Sequence, residues 1–92
     1  MATKIFKYGF KIGGHFILNL PEGFTFLKAE VQDGTPMMWL KINTDAHTKA
    51  HLFQVFATGQ NIVKQKDAIH YLDTFFDGPF VWHLFEHYDI LF

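Results

Sequence analysis

The chain contains no cysteine, no serine and no arginine. Without cysteine there is no disulfide and no thiolate, and without serine the other common nucleophile is missing too. The absence of arginine excludes the bidentate guanidinium clamp on phosphate or carboxylate. A cysteine-free chain fits a reducing compartment, so a cytoplasmic protein is expected. No run of 18 apolar residues occurs, so no membrane-spanning helix is expected and no membrane partner is implied. Met1-Ala2-Thr3-Lys4 leads directly into alternating residues, with no visible signal peptide. Net charge is −1 and the eight lysines are scattered, so a nucleic-acid polymer is not an expected partner.

What is present is apolar and aromatic. Of 92 residues, 12 are phenylalanine and 49% are hydrophobic, enough to build one core without disulfide or metal. A chain of this length makes one domain, residues 1–92. Its apolar period is mostly two. Phe16, Leu18 and Leu20 alternate with His15, Ile17 and Asn19. Leu27, Ala29 and Val31 alternate with Lys28, Glu30 and Gln32, and Met38, Leu40 and Ile42 with Met37, Trp39 and Lys41. Phe53, Val55 and Ala57 mark a further strand, as do 69–76 and 80–88. Gly13-Gly14, Pro21-Glu22-Gly23, Asp33-Gly34-Thr35-Pro36 and Asp77-Gly78-Pro79 supply turns. Residues 43–49 read as a loop, Ile62-Val63 as a short strand and 64–67 as a solvated stretch. Helical stripes are scarce, and the best place for a short helix is 45–57. Turns recur about every ten residues, the spacing of an all-β antiparallel sandwich or partly open barrel of about six to eight short strands.

The segment from Phe80 to Phe92 is apolar on both faces when extended. Val81 and Phe85 share one side with His83 and His87, and Trp82, Leu84 and Tyr88 share the other. A small domain covers one face of a strand easily and two only with help, so a homo-oligomer is expected. His83-Leu84-Phe85-Glu86-His87 has the H-x-x-E-H spacing of inverted zinc peptidases, which need it on a helix. On a strand the two histidines stand about 13 Å apart at ~3.3 Å per residue, too far for one zinc. Convergence of His15, His83 and His87 on one sheet face is the alternative route to a metal, but surface or interface histidines are the simpler reading. Asp45 with His47, and Asp73 with Asp77, lack a neighbouring nucleophile and read as turn and loop residues. No catalytic residue, metal or cofactor is assigned, and an enzyme is not expected. Phe26, Trp39, Leu52, Phe56 and Phe85 fall opposite the apparent core positions. They form either a binding face or a second buried layer.

Several blocks together carry a family resemblance. They are Lys4-Ile5-Phe6-Lys7-Tyr8, Gly13-Gly14, Leu20-Pro21-Glu22-Gly23, Val31 to Pro36 with Trp39, Phe53 to Gly59, and Val81-Trp82-His83-Leu84-Phe85-Glu86. In these the chain resembles a family of small tailed-phage proteins, a domain of unknown function, over about Lys4 to Glu86. His87 to Phe92 reads as an addition to the usual ending. The resemblance implies an accessory factor acting on a host, such as one that blunts defence. The expected function is therefore a non-enzymatic binding module that inhibits a host factor, by gripping a protein or sequestering a small nucleotide signal. A structural or assembly role in the phage particle is the alternative. Trp39, Phe85 and Trp82 are the stacking or anchoring candidates. For a nucleotide signal, Lys4, Lys7, Lys28 and Lys41 would be the phosphate partners, and His83 is a further binding candidate.

Overall fold

The computed structural model describes residues 2–62 and 69–88. These form seven strands: β1 (Thr3–Gly9), β2 (His15–Pro21), β3 (Thr25–Gln32), β4 (Thr35–Asn43), β5 (Thr48–Ala57), β6 (Ile69–Asp77) and β7 (Phe80–His87). All pairings are antiparallel. A three-stranded sheet has the order β1-β4-β3 and a four-stranded sheet the order β2-β5-β7-β6. They pack as a sandwich rather than a closed barrel. The expected all-β architecture is therefore correct.

Alternation decides which residues meet between the sheets. Leu20, Met38, Leu40, Phe53 and Leu84 have no exposed surface, and each is worth about 1.5–3 kcal/mol of burial. Phe10, on the β1–β2 connection, joins them: its ring stacks on Phe16 at 4.9 Å and meets Phe75 edge-on at 5.7 Å. Phe16 in turn stacks on Phe53 at 5.3 Å. The Asp33-Gly34 turn closes the β3–β4 hairpin with both residues at positive φ, 51° and 80°. Such a turn matches the right-handed twist of the strands it joins.

Three expectations need correction. No helix lies in 45–57; that stretch is turn and then β5. Its alternating Phe53 and Val55 fill the core, so the period-two pattern outweighs any helical preference. Ile62 lies outside any strand, while Val63 and 64–67 are outside the described residues. Third, Leu27 and Phe26 exchange places: Leu27 is 46% exposed and Phe26 packs against the core. A β-bulge between Phe26 and Lys28 inserts Leu27 as an extra residue and reverses the parity before it.

The two sheets meet most closely where edge strands β3 and β6 run side by side. β6 also carries a bulge, between Tyr71 and Asp73. With no ladder across this seam, the Asp73 side chain bridges it: the Ala29 N–H donates to Asp73 Oδ2 at 2.8 Å.

Candidate functional site

Three surfaces merit comparison. The first is the outer face of the three-stranded sheet. Register places Lys7 of β1 and Lys28 of β3 directly opposite Trp39 of β4, one on each side. Residues so paired have Cβ atoms about 4.5–5.5 Å apart. Lys41 stands two residues along β4 on the same face, beside Ile5 and Thr25. A half-buried indole thus shares its sheet face with three neighbouring lysines. Lys7 donates to Gln32 Oε1 at 2.7 Å, and Lys28 pairs with Glu30 at 3.2 Å. Both contacts are solvent-exposed and exchangeable, being worth little against water. Lys4 pairs with Ile42 and so belongs to the inner face, away from this group.

The second surface is the outer face of the four-stranded sheet. Phe85 meets Phe56 and Tyr71 edge-on, with ring centroids at 5.4 and 5.6 Å. Phe56 is only 3% exposed despite its outward parity. It lines a shallow pocket of about 210 Å³ with Gly59, Gln60, Ile62, His83 and Phe85, so the loop after β5 helps to cover it. His83 is fixed from both sides: Nδ1 contacts Thr74 Oγ1 at 2.9 Å and Nε2 contacts Thr58 Oγ1 at 2.7 Å. His15 and His87 approach at 5.4 Å between ring centroids, and His87 Nε2 contacts Gln54 Oε1 at 2.8 Å. His83 is therefore not gathered with the other two. H-x-x-E-H lies on β7, with Glu86 turned inward. Among the described residues, no group of three His, Asp or Glu is placed to hold a metal.

The third is a cavity of about 550 Å³ at one end of the β3–β6 seam, lined among others by Phe24, Phe26, His51, His70, Glu86 and Tyr88. At its floor His51 Nδ1 contacts Glu86 Oε2 at 2.8 Å, a pair with side-chain exposures of 17% and 9%. His51 Nε2 is buried without a hydrogen-bond partner among the described residues. An unsatisfied buried polar atom costs about 1–3 kcal/mol. Phe24 stands edge-on to His51 at 4.9 Å, and His70 stacks with Tyr88 at 5.3 Å. Burial first, and then the negative charge of Glu86, raise the Tyr88 phenol above its ordinary pKa of 10.0.

The residues singled out from sequence divide among these places. Trp39 and Lys41 come together, joined by Lys7 and Lys28. Phe85 and His83 share the opposite outer face. Trp82 points inward, packs against the core and contacts Phe80 at 6.1 Å between ring centroids. Its Nε1 is buried without a partner among the described residues. The five candidates do not form one site. The seam cavity escaped sequence reasoning, although a signal was present. His51 and Glu86 share parity with Phe53 and Leu84, so two polar side chains occupy core positions.

The profile of a family described as Domain of unknown function (DUF7352) matches residues 1–90. The match passes beyond Glu86, so 87–90 are part of the family's extent rather than an addition. No curated protein and no solved structure matches the chain.

Proposed function

Because the chain belongs to the DUF7352 family, a domain of unknown function, no activity comes with the fold, and we propose from the site chemistry that it is a non-enzymatic binding module holding a small nucleotide on the Trp39 face. The observation that supports this reading is the rung Lys7–Trp39–Lys28 with Lys41 beside it. An indole offers a base a stacking surface, and lysine binds phosphate as a point charge without needing a fork of donors. The ligand is small because the lysines form a cluster around one ring rather than a basic stripe. In the setting that the phage resemblance suggests, the module sequesters a nucleotide signal or grips a host defence protein.

Titration calorimetry with adenosine 5′-monophosphate at low salt tests the proposal. Binding is expected to weaken at least tenfold in Trp39→Ala and to fall with added salt. Equal affinity in the wild type and the variant, or no binding by either at millimolar ligand, would overturn it.

A second reading, self-association, is supported by the outer face of the four-stranded sheet. Ile17, Tyr71 and Phe76 are 53%, 50% and 67% exposed there. A homo-oligomer would cover them, whether the chain acts free or in a phage particle. Light scattering is expected to show a multimer that Phe76→Glu dissociates, and a monomeric wild type would remove this reading.

A further inference from the structure

We infer that the seam cavity is a second, separate ligand site, which takes an uncharged planar heteroaromatic molecule with an N–H donor on its edge, of nucleobase or nucleoside size. The inference goes beyond the Trp39 proposal and does not depend on it. Four observations support it. The first is size: about 550 Å³ falls within the range of small-molecule pockets. The second is the wall. Phe24, Phe26 and the His70–Tyr88 stack line it, and a flat ring finds π-faces and edges there.

The third is the floor. An ionised Glu86 can only accept, so the 2.8 Å contact has His51 Nδ1–H donating to Glu86 Oε2. In the neutral ring this leaves Nε2 with a lone pair, and that atom is buried without a partner among the described residues. A ligand N–H is what it lacks. Phe24 stands edge-on beside the imidazole, and Nε2 itself has no exposed surface, so a ligand reaches it only by displacing a neighbouring ring such as Phe24. It sits just after Gly23, at φ +77°, on the turn that enters β3.

The fourth is charge. The carboxylate at the floor repels anions, so the cavity disfavours the phosphorylated ligand that the lysines of the Trp39 face would attract. Both strands that border the seam are bulged beside the cavity, β3 between Phe26 and Lys28 and β6 between Tyr71 and Asp73.

The test is an ¹⁵N and aromatic ¹³C NMR titration of the intact chain with adenosine and guanosine. At least one nucleoside is expected to give saturable shifts at Phe24, His51 and Tyr88. His51→Phe, shown to be folded by its own spectrum, is expected to weaken the binding read at Phe24 and Tyr88 at least tenfold. If His51→Phe does not fold, Tyr88→Ala decides: it removes a partly exposed rim ring and leaves the buried pair intact. A tenfold loss in that variant supports the site, and unchanged affinity overturns it. The inference also fails if neither nucleoside shifts these residues at millimolar concentration, if the shifts fall on Trp39 instead, or if folded His51→Phe binds like the wild type.

Discussion

Trp39 lies on an open sheet face among ammonium groups, whereas His51 lies at the floor of a cavity beside a carboxylate. The first arrangement comes from one sheet and one register. The second needs both sheets: β3 and its entering turn supply Phe24 and Phe26, and β5, β6, β7 and Tyr88 just beyond it supply the rest. An open lysine cluster attracts anions from a distance but holds them through water and screening salt. A buried pair with an unsatisfied nitrogen attracts nothing from afar, yet it discriminates sharply once a ligand is inside, because an unmatched partner leaves that nitrogen unpaired. On the two proposals, charge and geometry thus separate two recognition modes on one small scaffold.

The largest effect comes from removing what both places share. Phe53 is fully buried and stacks on Phe16, so Phe53→Ala is expected to cost about 3–5 kcal/mol and to abolish both sites. Chemical denaturation measures the loss, and a cost below about 1 kcal/mol would show that the two sheets do not share this core. Next, Glu86→Ala should act on the cavity alone. It strips the partner from His51 and is expected to lower stability by about 1–3 kcal/mol, leaving affinity for adenosine 5′-monophosphate at Trp39 unchanged. A parallel loss of that affinity would mean that the two places are coupled.

The double variant Lys7→Ala and Lys28→Ala probes the opposite side. Thermal stability is expected to hold, since both lysine contacts are exposed, while the salt dependence of nucleotide binding flattens. The smallest effect concerns Tyr88. Its phenol pKa is raised in the folded protein, so the associated stability is complete below the unfolded value of 10.0 and declines as the pH rises through the folded value. Denaturation midpoints measured from pH 9 upward are expected to show that decline, with a smaller one in Tyr88→Phe.

The contrast also explains what could be read from sequence. A face within one sheet follows from alternation, so the spacing against Met38, Leu40 and Ile42 already turns Trp39 and Lys41 outward. Their union with Lys7 and Lys28 required the strand register, which spacing alone does not supply. Parity failed at Phe26 and Leu27 because a bulge leaves no mark in the pattern itself. Trp82 has the aromatic character of an anchor, yet it shares parity with the fully buried Leu84 and turns inward. The cavity was hidden for a different reason: His51 and Glu86 are 35 residues apart in sequence, and only the pairing of β5 with β7 brings their strands together.

The most direct test of the Trp39 proposal is a crystal structure of the chain grown with adenosine 5′-monophosphate. The account predicts the base stacked on Trp39 with its phosphate toward Lys7, Lys28 or Lys41, and no phosphate in the seam cavity. A nucleotide seated against His51 and Glu86, or a Trp39 face left bare at saturating ligand, would contradict it.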